Sequence, residues 1–530
     1  MHSISKGLFF CLAVLILFSL PGKVTLPGFL GQQEARADDI MVSTDTTEGL
    51  RQITPATATD RTGHFVIVWA DERSGRDNFD VYAQLYNLSG IPQGTNFKVN
   101  TDTGTTFQNY PSASMDASGN FIVVWEDGRN GNSDIYAQRF NSSGSTIGVN
   151  FRVDNDTTEG GQYAPDVVMN YHTGSFVITW RDESVAEEFA VYAQMYKPNG
   201  DTIGEVLTVN DQPIGTSQSS PAIAMDDSGN FVITWDDQRG VNYDIFAQYY
   251  YYDGTTWGAN FLIGDNTDGN KRYPDIAMNG KGYFVIAWDD ERNGNQDIYA
   301  ERYDSLSLTL DPSNFRVDND EGGASQVWPS VSMNEAGDFV IAWNDGRLLN
   351  SDIYAQRYNF CIDSLEPEGT NYFISDPAYA VNWQTEVAVT MTDNKICYTW
   401  TDDRNDVDND IFAKITDWGW SEVSDEEEAV TRPSSFELFQ NYPNPFNPTT
   451  TIKFKVQGSK FKVPIHTTLN IYNVLGQLVR TLVDEEKVPG EYQVGWDGRD
   501  DSGAEAASGV YFYQLKTADQ SYTKKMVLMH

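Results

Sequence analysis

Charged side chains of opposite sign recur at a regular spacing along this chain of 530 residues. Seven tryptophans are each followed two residues later by an aspartate, and in six copies an arginine comes two residues after that aspartate. A second aspartate follows within a few residues in the same six copies. Because guanidinium and carboxylate groups form bidentate ion pairs, we predict that the arginine and the second aspartate clamp the loop between them. The predicted clamps are Arg73 with Asp80, Arg129 with Asp134, Arg239 with Asp244, Arg292 with Asp297, Arg347 with Asp352 and Arg404 with Asp410.

The third copy lacks both members of this pair and has Ser184 and Ala190 in their places. Joint loss is what an ion pair predicts, because a semi-buried charge without its partner is costly. A charge pattern that repeats around one molecule is typical of a structural role. We therefore predict no catalytic residue among these side chains.

Two other kinds of chemistry stay open for the same acidic loops. Carboxylates and amides are the ligands that calcium prefers, but no complete calcium loop is present, so no metal or cofactor is predicted and calcium remains an alternative. Two carboxylates could also cleave a glycosidic bond. We expect such a pair first in the third copy, which departs from the repeat. Its candidate residues are Arg181, Glu183, Glu187 and Glu188.

Aromatic residues occupy a position that varies from copy to copy. In six copies a proline opens the first strand, and the residue before it is Tyr110, Tyr273 or Trp328 in three of them. Aromatic rings with polar neighbours bind sugars and peptides by stacking and hydrogen bonding. We predict that these three residues form a rim that binds a glycan or protein ligand. Packing of the rings between neighbouring sheets is the alternative.

All these positions belong to a unit that is repeated seven times. Each tryptophan ends an apolar run, such as FIVVW at 121–125, and three further short segments with strand composition surround it. A strand that is apolar on both faces must lie between neighbouring sheets. The sequence therefore predicts a seven-bladed β-propeller over residues 38–420. The seven tryptophans are Trp69, Trp125, Trp180, Trp235, Trp288, Trp343 and Trp400.

The two ends of the repeat predict a closed ring. Residues 40–44 (IMVST) align with the fourth strand of each unit, whereas the seventh copy stops after its third strand at 411–415. We expect this N-terminal strand to complete the last blade, because closure removes an open sheet edge. The residue six positions before each tryptophan is glycine, or Asn394 in the last copy, which predicts a hairpin with positive φ.

The N-terminal residues predict export. Lys6, the apolar run 8–20 and the sequence Ala35-Arg36-Ala37 form the three parts of a signal peptide over residues 1–37. An uncleaved anchor is the alternative. The expected mature chain has no transmembrane segment and is secreted or lies on the outer cell surface. Cys361 and Cys397 could form a disulfide there or remain two buried thiols.

The charge balance excludes one class of partner. The net charge is −40, and nearly all of the excess negative charge lies in residues 38–433. Such a surface repels a phosphate backbone, so we predict no nucleic-acid partner.

The C-terminal residues predict a separate module. Residues 421–433 form an acidic linker, and residues 434–530 alternate apolar segments with Gly, Asn, Asp and Pro turns, which predicts a small Ig-like β-sandwich. This module resembles the C-terminal sorting domains of the type IX (Por) secretion system and the related FlgD-like Ig-like domain. The residues that carry the resemblance are Tyr442, Pro443, Asn444, Pro445, Trp496, Asp497, Gly498, Gly509, Tyr511, Lys524 and Lys525. It implies recognition by outer-membrane secretion machinery, with a purely structural domain as the alternative. The propeller repeat also resembles TolB-type repeats, which implies no activity.

These observations favour a secreted or surface-displayed binding protein over an enzyme. The propeller is expected to present a glycan or protein site, and the C-terminal domain is expected to direct export. An extracellular glycoside hydrolase or sialidase-like enzyme that uses acidic residues on the same face is the alternative.

Overall fold

In the computed structural model the chain divides into two compact units, Met1–Glu422 and Val423–His530. The described residues are 39–44, 49–87, 89–153, 160–183, 189–211, 217–265, 267–305, 309–311, 313–320, 322–348, 350–361, 364–375, 382–404, 408–418, 437–456, 465–487, 490–517 and 521–529. The predicted signal peptide, the predicted linker, and Glu187 and Glu188 lie outside them. The described part of the chain consists of β-strands and connections, without a helix, which confirms the predicted all-β class.

The first unit is built from four-stranded antiparallel sheets, here called blades, and seven of them are present among the described residues. Strand β1 (Ile40–Met41) is followed by blade 1 with β2 (Gln52–Thr59), β3 (Phe65–Asp71), β4 (Asp80–Tyr86) and β5 (Pro92–Lys98), and blade 2 with β6 (Gln108–Met115), β7 (Phe121–Asp127), β8 (Asp134–Phe140) and β9 (Thr146–Arg152). Blade 3 has β10 (Gln162–Met169), β11 (Phe176–Glu183), β12 (Phe189–Tyr196) and β13 (Thr202–Thr208), and blade 4 has β14 (Gln218–Met225), β15 (Phe231–Asp237), β16 (Asp244–Tyr250) and β17 (Thr256–Ile263). Blade 5 has β18 (Lys271–Met278), β19 (Phe284–Asp290), β20 (Asp297–Tyr303) and β21 (Phe315–Arg316), and blade 6 has β22 (Gln326–Met333), β23 (Phe339–Asp345), β24 (Asp352–Cys361) and β25 (Ser364–Phe373). Blade 7 has β26 (Gln384–Met391), β27 (Lys395–Asp402) and β28 (Asp410–Asp417).

The first strands of the blades meet one another around a closed ring. Each contacts the first strand of the next blade, and β26 of blade 7 contacts β2 of blade 1. The N-terminal strand β1 pairs antiparallel with β28, with Ile40 opposite Ala413 and Met41 opposite Phe412. The expected completion of the last blade by the N-terminal strand is therefore confirmed.

The core lies between the blades, as a strand apolar on both faces requires. One cluster joins Val66 and Val68 of blade 1 to Phe121 and Trp125 of blade 2, and equivalent clusters lie between the other blades. All seven repeated tryptophans are fully or almost fully buried. Each indole thus fills the interface between two sheets, which fixes the stacking of the ring.

The hairpin between the first and second strands follows the prediction in six blades. Gly119, for example, has a φ of 74°, and the corresponding glycines of blades 1 and 3 to 6 also have positive φ. The expectation was wrong for Asn394, whose φ is not positive. The seventh hairpin is one residue shorter than that of blade 2, because Met391 pairs with Ile396 where Met115 pairs with Phe121.

The predicted clamp pairs the arginine with the wrong aspartate. Arg129 binds the aspartate two residues before it, with Nη2 at 2.5 Å from Asp127 Oδ2, and not Asp134. That carboxylate also accepts the Nε1–H of Trp125 at 2.8 Å, and the guanidinium carbon lies 4.1 Å from the ring centre of Tyr136. The same Trp–Asp–Arg–aromatic stack joins Arg73 to Asp71, Arg239 to Asp237, Arg292 to Asp290, Arg347 to Asp345 and Arg404 to Asp402.

The aspartate that opens the third strand has other partners. They are Lys98 for Asp80, Arg152 for Asp134, Lys271 for Asp244, Arg316 for Asp297 and Ser43 for Asp410. Asp352 of blade 6 is the exception, because both of its buried carboxylate oxygens lack a hydrogen-bond partner in the described part of the chain. Blade 3 has no arginine to complete the stack, and the buried Nε1–H of Trp180 likewise finds no acceptor among the described residues.

The second unit is a small β-sandwich. One sheet contains β29 (Glu437–Leu438), β30 (Thr450–Val456) and β33 (Gly490–Trp496). The other has the order β32 (Leu478–Lys487), β31 (Ile465–Asn473), β34 (Gly509–Lys516) and β35 (Ser521–Leu528). Their inner faces enclose a core that includes Trp496, Tyr513 and Leu469.

The structure shows the bonding state of one of the two cysteines. Cys397 is buried and forms no disulfide, and burial raises its pKa to about 12. It is therefore an unreactive core residue at neutral pH. Among the described residues, none belongs to a helix with the length and apolar character needed to cross a membrane.

Candidate functional site

Every first strand has a bulge near its start. In blade 2, Asn109 lies opposite Glu126 and Ser112 opposite Val124, so one extra residue is inserted at Tyr110-Pro111. Proline fits this position because a bulge leaves one N–H outside the ladder. In six blades the residue before this proline has φ between 49° and 55°, and Glu386, which precedes Val387 in blade 7, has φ of 57°. None of these seven residues is glycine.

We call these seven bulge residues the inner ring. They are Thr54, Tyr110, Ala164, Ser220, Tyr273, Trp328 and Glu386. Positive φ is uncommon for bulky side chains and strains the backbone. Because all blades share the bulge, it is a feature of the repeat, and only the type of side chain differs between blades.

The three predicted aromatic residues belong to the inner ring. Tyr110 is 54% exposed and Trp328 is 45% exposed. Tyr273 lies edge-on to Trp328 with the ring centres 6.3 Å apart. The rings of Tyr110 and Trp328 are therefore half open to solvent, which does not fit the alternative of burial between blades.

Behind the inner ring lies a second set of side chains, each one residue after the repeated tryptophan. We call it the outer ring, and it consists of Ala70, Glu126, Arg181, Asp236, Asp289, Asn344 and Thr401. Several members link neighbouring blades. Glu126 accepts the backbone N–H of Ala164 at 2.8 Å, and Asn344 donates to Thr385 Oγ1 at 2.7 Å.

Charged groups are concentrated on blades 2 to 5 of the outer ring. Asp236 Oδ2 lies 3.6 Å from Nε of Arg272, which belongs to the first strand of blade 5. Arg181 donates from Nη1 to Ser219 Oγ at 2.8 Å, and its charge acts on both Glu126 and Asp236. The aromatic side chains thus stand in front of a row of alternating acids and bases.

Burial shifts the acids of this row toward their protonated forms. It raises the pKa of Glu126 to about 7, although the Ala164 N–H and the charge of Arg181 act in the opposite direction. Burial also raises the pKa of Asp236, and that of Asp289 more strongly, with the charge of Asp236 adding to the effect on Asp289. At neutral pH the row therefore offers hydrogen-bond donors as well as acceptors.

We call the side of the propeller that carries the start of each first strand the open face. On the opposite side, the plugged face, one side chain crosses the central channel. Arg61, in the first hairpin of blade 1, lies 3.2 Å from Asp227 of blade 4 and also pairs with Glu335 of blade 6. Its guanidinium stands 4.3 Å from the ring centre of Tyr171 in blade 3. Arg61 therefore links the hairpins of blades 1, 3, 4 and 6 across the plugged face.

Two further aromatic side chains lie on the open face and escaped the sequence analysis. Phe107 and Trp383 stand three residues before the inner-ring residue of their blades and are 40% and 59% exposed. We call this the mouth position. It holds Arg51, Phe107, Gly161, Ser217, Asn270, Ser325 and Trp383.

The outer ring was also missed. Its signal is the position between the repeated tryptophan and aspartate, which changes from Ala70 to Glu126 to Arg181 while its neighbours stay the same. In blade 3, Arg181 joins the outer ring, whereas Glu183 lies near the hydroxyl of Tyr163. Among the described residues no cluster of His, Cys, Asp or Glu has the geometry of a metal site.

The residues that carried the C-terminal resemblance fall into two groups. Trp496 is buried and donates to the Arg499 carbonyl at 2.8 Å, and Asn444 Oδ1 accepts the Val527 N–H at 2.9 Å. Tyr442 is mostly exposed, and Lys524 and Lys525 lie on the edge strand β35. The first group holds the sandwich together, and the second is available at its surface.

Comparison with known proteins agrees with one part of that resemblance. Residues 449–521 match the FlgD Ig-like domain. The C-terminal unit thus contains a domain of that family, whereas this match does not extend to a type IX sorting function or to the propeller. A search of curated proteins finds no significant match to the chain.

Several solved structures are similar to this chain at low identity. A Dyadobacter fermentans protein of unknown function is 9% identical with a TM-score of 0.41, and covers 71% of this chain and 97% of its own. The β-propeller domain of the Trilobed protease from Pyrococcus furiosus is 8% identical with a TM-score of 0.42, and covers 71% and 100%. The α-L-arabinofuranosidase Arb93A from Fusarium graminearum is 11% identical with a TM-score of 0.41, and covers 58% and 93%. The activities of these proteins are not assigned to this chain.

Proposed function

We propose that the propeller is a carbohydrate-binding module whose site is the open face around the inner ring. The observation that carries this proposal is the group of Tyr110, Tyr273 and Trp328, of which Tyr110 and Trp328 are half exposed, close to the buried acids Glu126 and Asp236. Sugar rings stack on aromatic faces while their hydroxyls bind charged and polar side chains. A protein ligand is the other class of occupant that this surface could take.

Removing the aromatic rings should weaken glycan binding without unfolding the propeller. We expect Trp328→Ala and Tyr110→Ala each to lower the affinity about tenfold or more, because exposed aromatic anchors carry much of the binding energy in such sites. Tyr252→Ala is the matched control, since Tyr252 is 67% exposed but lies in a hairpin of blade 4 on the plugged face. A glycan array with the mature protein identifies the ligand, and calorimetry measures the loss. Equal affinities for all three variants would contradict the proposal.

One observation favours a glycoside hydrolase as a second candidate. Burial raises the pKa of Glu126 to about 7, so a fraction of this carboxyl keeps its proton at neutral pH, as a general acid must. Turnover of chromogenic glycosides by the wild type, lost in Glu126→Gln, would support the enzyme. Retention of a glycan without turnover would support the binding module.

We also propose that the C-terminal domain directs export and that the protein is secreted or displayed on the outer surface. The FlgD Ig-like match supports this role, as does the position of Lys524 and the exposed Lys525 on the edge strand β35.

Deletion of residues 434–530 should leave the propeller in the periplasm, because the domain that directs export across the outer membrane would be missing. The full-length variant with Lys524→Ala and Lys525→Ala should accumulate there in part. Cell fractionation locates each variant, and unfolding curves check that each propeller is folded. Unchanged surface export of the deletion variant would refute the sorting role.

A further inference from the structure

Two of the seven mouth positions carry an aromatic side chain, and they belong to the blades on either side of blade 1. Phe107 of blade 2 is 40% exposed and Trp383 of blade 7 is 59% exposed. Strand β2 of blade 1 contacts both β26 of blade 7 and β6 of blade 2, so the three blades are consecutive in the ring. We call Trp383, Arg51 of blade 1 and Phe107 the mouth sector. The mouth residues of the other four blades are Gly161, Ser217, Asn270 and Ser325.

The backbone holds both aromatic residues of the mouth sector in the same way. Gly128 donates its N–H to the Phe107 carbonyl at 2.9 Å, and Asp403 donates its N–H to the Trp383 carbonyl at 3.2 Å. Asp403 Oδ1 also accepts the Trp383 N–H at 2.7 Å. These bonds tie the start of the first strand to the connection that follows the second strand. Because the backbone is already fixed, less conformational entropy is lost when a ligand binds there.

Between the two aromatic residues, blade 1 contributes a half-exposed cation. Arg51 Nη2 lies 2.6 Å from Glu72 Oε1 and 3.2 Å from Asp77 Oδ1. The Glu72 side chain is fully buried, whereas that of Arg51 is 45% exposed. Arg51 uses Nε and Nη2 for its hydrogen bonds with the described residues, and a guanidinium has two further N–H donors on Nη1. The mouth sector thus combines exposed aromatic rings with a polar donor, which is the chemistry that binds sugar units.

The mouth sector extends the candidate site outward from the inner ring. Phe107 precedes Tyr110 by three residues, and Trp383 precedes Glu386 by three. Three residues of a β-strand span roughly 10 Å. This separation exceeds the size of one sugar ring, so a glycan that contacts both Tyr110 and Phe107 must contain several sugar units.

We propose that the ligand is an oligosaccharide whose outer sugar units bind in the mouth sector, stacked on Phe107 and Trp383 and hydrogen-bonded to Arg51. This inference rests on the carbohydrate-binding function proposed above and names the class of glycan that the site takes. The aromatic residues of the inner ring bind the central units. A disaccharide fills the inner ring alone.

Truncation of the two mouth aromatic residues tests the proposal. Phe107→Ala and Trp383→Ala should each lower the affinity for an octasaccharide about tenfold, because each removes an exposed aromatic anchor. They should leave the affinity for a disaccharide unchanged. Trp257→Ala is the matched control and should change neither affinity, since Trp257 is 47% exposed but lies on the fourth strand of blade 4, opposite Tyr249. The probes are a disaccharide and an octasaccharide of the glycan that the array identifies, measured by calorimetry with the mature protein.

Gly128→Ala tests the position of the Phe107 ring without removing it. Gly128 does not have positive φ, so an alanine fits its backbone conformation. The added Cβ would lie 2.9 Å from Cε1 of Phe107, which forces this exposed ring to move. We expect unchanged thermal unfolding and a loss of octasaccharide affinity that is smaller than that of Phe107→Ala.

Four outcomes separate this inference from the binding function. Equal wild-type affinities for the disaccharide and the octasaccharide would refute the role of the mouth sector while the binding function stands. Unchanged octasaccharide affinity in both Phe107→Ala and Trp383→Ala would refute it as well. An equal loss of both affinities in these two variants would show that the mouth residues do not bind outer units. Absence of binding to any glycan would refute the binding function itself.

Discussion

Asp39→Ala is expected to lower the free energy of unfolding of the propeller by roughly 3–5 kcal/mol. Asp39 lies next to the closing strand β1, 2.9 Å from Arg404 and 3.0 Å from Lys414. All three side chains are almost completely buried. Without the carboxylate, two cations of blade 7 would share a buried environment with one counterion fewer, and an uncompensated buried charge is costly.

The same contact ties the two ends of the propeller together. Val42 donates its N–H to the Ile411 carbonyl at 2.8 Å, and Ser43 donates to Asp410 at 3.2 Å. These bonds and Asp39 add to the pairing of β1 with β28 that holds the first strand on the last blade. Weakening them opens a sheet edge as well as exposing charge.

Asp417→Ala is the matched control for Asp39→Ala. Asp417 belongs to the same blade and pairs with Lys395 at 2.7 Å, but it is 73% exposed. Exposed ion pairs contribute little, so this variant should lose less than about 1 kcal/mol. Urea unfolding of the mature protein, followed by tryptophan fluorescence, measures both. Equal losses in the two variants would show that the Asp39 contact does not stabilise ring closure.

A double variant separates the lost charge from a general disturbance. Lys414→Met removes one of the stranded cations and keeps the volume of the side chain. Replacing buried ion pairs by apolar groups is often neutral, so Asp39→Ala combined with Lys414→Met should lose less than the sum of the single losses. Additive losses would mean that the two side chains act independently.

Much of the fold could be predicted because the repeated residues are apolar side chains that must be buried. The run FIVVW is apolar on both faces, and only stacked sheets satisfy that. The closing strand could be predicted as well, since residues 40–44 read as the fourth strand that the last copy lacks.

The geometry of the site could not be predicted in the same way. Positive φ is expected for glycine, yet the inner ring holds Tyr110, Trp328 and Glu386 at this conformation. The pairing of the whole strand imposes the bulge, and no single residue type in the sequence predicts it. The aromatic rim was visible as a variable position, whereas Asp236 and Arg272 come together only through the packing of blade 4 against blade 5.

The partner of each repeated arginine was missed for a related reason. Asp127 and Asp134 lie directly opposite each other on neighbouring strands, so both carboxylates are within reach of the same loop. The indole N–H of Trp125 orients Asp127, and the arginine completes that site. Spacing along the chain does not distinguish two carboxylates that the sheet places side by side.

That cross-strand pair of acids, which six of the blades have, places two negative charges side by side. Like charges directly opposite each other are destabilising, and the arginine neutralises only the first aspartate. In blade 2 the second is neutralised by Arg152, which lies opposite Tyr136 on the next strand. In blade 6 the corresponding residue, opposite Tyr354, is Phe373. Asp352 is thus left beside Asp345 without a cation.

Asp352→Asn should therefore stabilise the propeller at pH 8. Burial raises the pKa of Asp352 to about 7, with the charges of Asp345 and Asp402 adding to the effect. Since the folded state holds this proton more tightly than the unfolded chain, Asp352 makes stability fall as the pH rises from about 4 to about 7. The shift from 3.8 to about 7 corresponds to at most roughly 4 kcal/mol, and we expect a gain of about 2 kcal/mol because the amide is still buried.

The pH profile and a second asparagine variant test the cause of that gain. Urea unfolding at pH 4 should show little difference between Asp352→Asn and the wild type, because the carboxyl is then largely protonated in the folded state. Asp134→Asn changes the equivalent residue of blade 2, which pairs with Arg152 at 3.0 Å, and should destabilise at pH 8. The changes in stability should have opposite signs at these two equivalent positions, because Asp134 has a neighbouring cation and Asp352 has none. If both variants lose stability at pH 8, then Asp352 has a favourable partner in solution and Phe373 is not the reason for its raised pKa.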